Sequence, residues 1–260
     1  MTQQTSVLFL KNQTVPKDPY HDAFNTSGFD TTFVPLLDHI HADLSLITGY
    51  LTSKEFLYET DSLIITSQRA VEALANALEH ITDDERSIIL KKLAFTVGPA
   101  TEKVLRTLGF SRLEGGADAG NGTILSEHII KTLDPSQKVT FFTGETRRDI
   151  IPKTLVSNGY NLKEVVIYRT VEKPEIIERF TNAFTGKKSD NCWVIFFSPQ
   201  GTQEIVEFLK VLPNINDINI ASIGPTTETY LLENGITPKL VARKPEASSL
   251  LQGVITANQS

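Results

Sequence analysis

The sequence predicts an α/β protein of two doubly wound, parallel-sheet lobes related by an internal duplication. Three observations predict it. First, motifs recur at a nearly constant spacing. "ITSQRAVEALANAL" (65–78) and "FFSPQGTQEIVEFL" (196–209) place Ser67 and Ser198 131 positions apart, and "NTSGFDTTFVPL" and "VSNGYNLKEVVI" place Gly28 and Gly159 at the same spacing. "FTVGPATEKVLRTLGF" and "ASIGPTTETYLLENGI" separate Gly98 from Gly224 by 126, "VLFLKN" (7–12) answers "VTFFTG" (139–144), and "GTILSEHIIKTL" answers "ASSLLQGVITA" near the carboxyl terminus. The repeat is about 130 residues long, with a gap of about five between its serine and glycine motifs. Second, short apolar runs of strand length are nearly unbroken, the pattern of strands covered on both faces. Third, amphipathic helical stretches follow those runs directly, as crossover connections require.

Taken in order, the first repeat predicts strands at 7–10, 31–35, 62–66 and 94–97, and the second at 139–143, 165–168, 193–198 and 220–223. Helices are predicted at 69–78, 99–108, 201–209 and 226–233, with Gly109 and Gly235 placed as C-terminal stops. The duplication by itself suggests one lobe up to about residue 136 and a second beyond it. A cleft is expected between two lobes whose loops face each other.

Composition bounds the partners. With 260 residues and 40% hydrophobic content the chain can fill one large core or two ordinary ones. A net charge of −6 and the absence of any basic stripe argue against a nucleic-acid surface. The amino-terminal stretch has only four consecutive apolar residues, Val7 to Leu10, too few for a signal-peptide core or a membrane span. Cys192 is the single cysteine, so no internal disulfide can form. A cytoplasmic protein is expected, without membrane contact.

Function is expected where strands run into helices. "TSQR", "VGPAT", "FSPQG" and "IGPTT" each place a small hydroxyl residue, a glycine or proline and free backbone amides at a helix N-terminus. The first four amides of a helix have no internal partner, and the helix dipole adds roughly half a positive charge, so such a turn holds a carboxylate or phosphate without a cationic side chain. An acidic protein can thereby bind an anion. Helix capping alone is the competing account of each hydroxyl.

The combination "ITSQRAVEA", "VGPAT", "YRT", "FFSPQG" and "ASIGPTTE", together with "DPY" (18–20), "PLLD" (35–38) and "TGETRRDIIPKTL" (143–155), resembles the uroporphyrinogen-III synthase family from Val7 nearly to the end. The resemblance implies one lobe of residues 1–35 plus 174–260 and another of 36–173, joined by a two-strand linker near Pro35 and Tyr168 to Val171. It implies a cofactor-independent lyase that cyclises the linear tetrapyrrole hydroxymethylbilane with inversion of ring D and loss of water, through a spiro intermediate. Tyr168 is then the candidate acid assisting hydroxyl departure, with a packed linker tyrosine as its alternative. Ser67, Thr101, Ser198, Gly201, Thr226 and Thr227 are the candidates for binding substrate carboxylates, with Arg69 and Arg147 adding charge. Arg69 has an alternative as an intrahelical partner of Glu72, and Arg148 follows the same strand as Arg147. A monomer in transient contact with the upstream bilane-forming enzyme is expected.

Other features take plainer readings. "HIH" (39–41) has no third ligand at a recognisable spacing, so no metal is expected. "GGADAGNG" (115–122) lacks the spacing of a nucleotide loop and reads as a flexible loop in which Asn121 caps the next helix. "DDER" (83–86) and "GKKSDN" (186–191) read as solvated connections. The competing function is a two-lobed cytosolic sensor for an anionic small molecule, and a two-thiol racemase is excluded by the lone Cys192.

Overall fold

The computed structural model describes residues 4–187 and 191–259; part of the connection expected at 186–191 therefore lies outside the described residues. The chain runs β1 (Ser6–Leu10), α1 (Pro19–Thr26), β2 (Asp30–Phe33), β3 (Leu37–His41), α2 (Leu44–Leu51), a π-helical turn (Glu55–Glu59), β4 (Ser62–Ile65), α3 (Gln68–Leu78) and α4 (Asp83–Leu90). It continues through β5 (Leu93–Val97), α5 (Pro99–Leu108), β6 (Arg112–Gly116), α6 (Gly122–Thr132), β7 (Lys138–Gly144), α7 (Ile150–Ser157) and β8 (Asn161–Glu172). Then come α8 (Ile176–Phe184), β9 (Cys192–Phe196), α9 (Gln203–Lys210), β10 (Asn219–Ser222), α10 (Pro225–Glu233), β11 (Leu240–Val241) and α11 (Ala247–Ala257).

These elements form two compact units: residues up to Asp38 with those from Val171 onward, and His39–Thr170. The chain leaves the first unit within β3 and returns to it within β8. The first unit carries a sheet in the order β11-β10-β9-β1-β2, whose pairings are parallel. The second carries β3-β8-β7-β4-β5-β6, parallel from β8 to β6.

Turned to a common direction, β2-β1-β9-β10-β11 and β8-β7-β4-β5-β6 correspond strand for strand. The sequence repeats pair the same strands, since 7–12 answers 139–144 and Ser67 answers Ser198. Each sheet thus takes two of these strands from one repeat and three from the other.

Burial on both faces explains the unbroken runs. In β1, Leu8 and Leu10 enter one core layer while Val7 and Phe9 enter the opposite one. In β9, Val194 and Phe196 face the first layer, and Trp193 and Ile195 the second. The same alternation in β4 sends Leu63 and Ile65 one way and Ile64 the other. A strand side chain flips face at each residue, so a strand packed by helices on both sides needs apolar residues at every position.

Three expectations are corrected. "DDER" is the first turn of α4, held by a capping box in which Thr82 and Glu85 satisfy each other's backbone amides. The helix expected from Gly201 begins at Gln203, because Gly201 sits at φ +75°, outside the helical region. The loop expected at 115–122 gives Gly115 and Gly116 to β6, after which Asn121 caps α6. Gly109 does terminate α5 in the left-handed conformation, its amide and that of Phe110 bonding back to Arg106 and Leu105.

Candidate functional site

Within the second unit, β7 and β4 are neighbours whose helices depart to opposite faces. After β7, α7 buries Ile151 and Leu155 beside Leu125 and Ile129 of α6. After β4, α3 buries Val71 and Leu74 beside Leu105 of α5. Divergence of adjacent crossovers opens a crevice at the carboxyl ends of the strands. A pocket of about 340 Å³ lies there, its wall including Ser67, Gly144, Arg148, Ile151 and Tyr168.

Tyr168 reaches this wall through a local irregularity. Thr143 pairs with Val166, but Gly144 pairs with Tyr168, so Ile167 is an extra residue in β8. A bulge of this kind redirects the side chains that follow it. Ile167 goes fully into the core, and the Tyr168 ring lies against the bare backbone of Gly144. A Cβ at residue 144 would stand 2.5 Å from Tyr168 Cζ and 2.8 Å from its Oη, so glycine is required by contact rather than by backbone angle.

Ser67 completes the arrangement. It is the N-cap of α3, in extended backbone conformation, and its Oγ accepts from the Ala70 amide at 3.1 Å. The same hydroxyl donates to the Tyr168 phenol oxygen at 3.1 Å. Ser67 and Tyr168, 101 residues apart in sequence, are thereby brought together.

The other sequence candidates in this unit are placed differently. Arg147 lines the pocket, but its guanidinium is held by Glu164 and Asp149. The hydrogen bond it donates to Glu164, with a smaller one to Asp149, outweighs partial desolvation and keeps the Arg147 pKa above its ordinary value. Arg148, also on the pocket wall and exposed, has no ion pair among the described residues. Arg69 is exposed and paired with Glu72 at 2.9 Å, away from the pocket wall. Thr101 is buried in the first turn of α5, likewise off that wall.

In the first unit, Ser198 lies half-buried in the loop after β9, but Thr202 is the N-cap of α9. The Gly201 amide donates to the Glu172 carboxylate at 3.1 Å. Thr226 and Thr227 occupy the first turn of α10, exposed and buried respectively. α10 and α5 share a start, with glycine at the N-cap, proline next and no capping side chain, so their first-turn amides are not consumed by a cap.

Sequence reasoning missed the Gly120–Gly122 segment, which joins the pocket wall as Asn121 accepts from the Thr123 and Ile124 amides. Its signal was the Asx cap itself, which fixes the segment at a helix start. His39 Nδ1 lies 3.0 Å from Thr170 Oγ1. Among the described residues no group of three or more His, Cys, Asp or Glu side chains could hold a metal ion. Burial pushes the Cys192 thiol up to about 11, so it stays protonated at neutral pH.

A sequence model described as uroporphyrinogen-III synthase HemD matches residues 18–252. The uroporphyrinogen-III synthase of Saccharomyces cerevisiae is 40% identical over 265 residues, covering 97% of this chain and 96% of the yeast protein. That of Schizosaccharomyces pombe is 31% identical, covering 98% of each chain. Among solved structures, uroporphyrinogen-III synthetase of Helicobacter pylori aligns with a TM-score of 0.57 at 18% identity, covering 98% of this chain and 99% of that one. A mutant Thermus thermophilus uroporphyrinogen III synthase aligns with a TM-score of 0.52 at 17% identity over 98% and 99%. These two structural likenesses bear on the fold.

Proposed function

Because the chain belongs to the uroporphyrinogen-III synthase family, we propose that its Tyr168 crevice is where hydroxymethylbilane is cyclised to uroporphyrinogen III. The protein is an enzyme of heme biosynthesis acting on a tetrapyrrole. The observation that supports this assignment of the site is a phenol seated on bare backbone at the carboxyl ends of two diverging strands.

The chemistry asks little of the side chains. Tyr168 gives its proton to the departing hydroxymethyl oxygen, which leaves as water, and the chain end becomes an azafulvene. The far pyrrole attacks it through its substituted carbon to form the spiro intermediate, which fragments and recloses with ring D inverted. The proton lost when the closing pyrrole regains aromaticity returns to Tyr168, so water is the only net product released. The substrate also closes unaided to the uninverted isomer, so the enzyme's main task is steering by position. This is lyase chemistry that calls on no cofactor.

Carboxylates of the substrate are assigned to helix starts. Thr101, Thr226 and Thr227 offer first-turn amides, and Ser198 and Gly201 offer the turn before α9. An acetate or propionate group bound at this turn takes the place of the Glu172 carboxylate that the Gly201 amide holds. In the crevice, Arg148 rather than the engaged Arg147 supplies the cationic contact. A monomer working in the cytoplasm, meeting the upstream bilane-forming enzyme only in passing, completes the proposal.

The test generates hydroxymethylbilane in situ, oxidises the products and resolves the uroporphyrin isomers. The wild-type protein shifts the product from isomer I to isomer III. Tyr168→Phe lowers turnover by about 10²-fold or more, in the range expected for loss of a positioned proton donor, with the folded state retained. Near-normal turnover in that variant removes Tyr168 from the chemistry.

A further inference from the structure

We propose that Ser67 is a positioning residue that aims the Tyr168 proton, not a ligand for a substrate carboxylate. The inference deepens the reading of Tyr168 as proton donor and rests on it.

The count of protons and lone pairs at Ser67 carries the proposal. A serine hydroxyl has one proton and two acceptor sites. One acceptor site is taken by the Ala70 amide, which belongs to the orphan donors at the start of α3. The single proton goes to the Tyr168 oxygen. A phenol oxygen that accepts from Ser67 has no need to donate back to it, so its own proton is left to point elsewhere. With Gly144 backbone behind the ring and core beneath it, the open direction is the crevice.

The same chain has a direction in energy. It runs from the Ala70 amide to the Ser67 hydroxyl to the Tyr168 oxygen, every donor pointing toward the phenol. Such aligned bonds polarise one another, and their first member sits at the positive end of a helix. When Tyr168 surrenders its proton, negative charge develops on the oxygen that this chain already serves. The Ser67 bond therefore strengthens on passing to the transition state, which is the condition for raising kcat rather than lowering KM. His39 closes the other side, its ring 6.3 Å from that of Tyr168 in an edge arrangement. The ring is thus fixed by packing, and the proton by Ser67.

Three substitutions separate capping from aiming. Ser67→Ala removes both the cap and the donor, so kcat falls about 10- to 100-fold with KM little changed, and the melting temperature drops by a few degrees. Ser67→Asp keeps an acceptor for the Ala70 amide but cannot donate. It melts like wild type, yet its kcat is as low as that of Ser67→Ala, because the phenol now donates to the carboxylate instead of the substrate. Ser67→Thr restores both functions and recovers most of the turnover. In a Tyr168→Phe background, Ser67→Ala causes no further loss, since there is no phenolic proton to aim.

Each contrary result has its own meaning. A rise in KM at unchanged kcat in Ser67→Ala would assign the residue to substrate binding and overturn the inference. So would wild-type turnover in Ser67→Asp, or an undiminished loss from Ser67→Ala in the Tyr168→Phe background. Near-normal turnover in Tyr168→Phe alone sinks the proton-donor reading itself, a failure distinguishable from any outcome at Ser67.

Discussion

Asp18 shows how much one side chain can be asked to hold. It is 2% exposed, and its two oxygens take four donors: Lys11 Nζ at 2.6 Å and the Thr14 amide on one, the Tyr20 and His21 amides on the other. Burial works to raise its pKa, but the Lys11 hydrogen bond, the amides of Thr14 and His21 and the Lys11 charge together hold it below the ordinary 3.8. A carboxyl depressed in the folded state adds stability that is fully present above its unfolded pKa and lost as pH falls through the folded one. Asp18→Asn is therefore expected to cost about 2–4 kcal/mol at pH 7, because Lys11, beside the rings of Tyr20, Phe33 and Phe197, loses its buried counter-charge. It should also flatten the decline in stability below pH 4. Urea melts at pH 7 and pH 3 read both effects, and an unchanged acid limb would refute the assignment. Gly144 gives a second residue-scale expectation. Gly144→Ala pushes the Tyr168 ring off its seat, so turnover falls toward that of Tyr168→Phe while circular dichroism stays native. Of these residues, Ser67 and Tyr168 stood out in the sequence through their motifs. Their contact did not, because it depends on a one-residue bulge beside Gly144 that no local pattern announces.

Elements were legible in proportion to how completely they are buried. Strands β1, β4, β7 and β9 are covered on both faces and could be read directly as apolar runs. β3 ("LDHIH") and β6 ("RLEGG") are edge strands of mixed polarity, and β11 has two residues, so none carries enough apolar length to register. The π-helical turn at Glu55–Glu59 was equally invisible, since part of what supports it lies far along the chain. Lys92 Nζ donates to the carbonyls of Leu57 at 3.0 Å and Thr60 at 2.6 Å, with its ammonium 5.4 Å from the Phe56 ring. Desolvation lowers its pKa, partly opposed by Asp61. Replacing it by methionine preserves the stem but abandons two carbonyls, at an expected cost of about 1–3 kcal/mol. Hydrogen exchange should then quicken at residues 55–60 before anywhere else in that unit. α4 differs, because its Thr82 to Glu85 capping box is present in the sequence, inside a run whose charges alone read as a solvated connection.

At the scale of the whole molecule, the repeats in sequence and the units in space do not coincide. β1 and β2 come from the first repeat but share a sheet with β9 to β11 of the second, while β7 and β8 make the reverse journey. Cutting the chain at the repeat boundary therefore leaves two broken sheets, whereas residues 37–172 contain one sheet entire. The expressed fragment 37–172 should melt in a single cooperative transition, and residues 1–136 should show none; a cooperative, native-like melt of 1–136 would refute this account of the architecture. The exchange also imposes an order on synthesis. During translation, β2 emerges soon after β1, but Ser6 must wait for Cys192 to leave the ribosome before its other edge is paired. Until then "SVLFL" remains an apolar strand with one open edge, the kind of segment that associates with neighbouring nascent chains. The unit containing Tyr168 can close meanwhile, so the newborn chain holds the crevice beside Tyr168 before its first strand has found shelter.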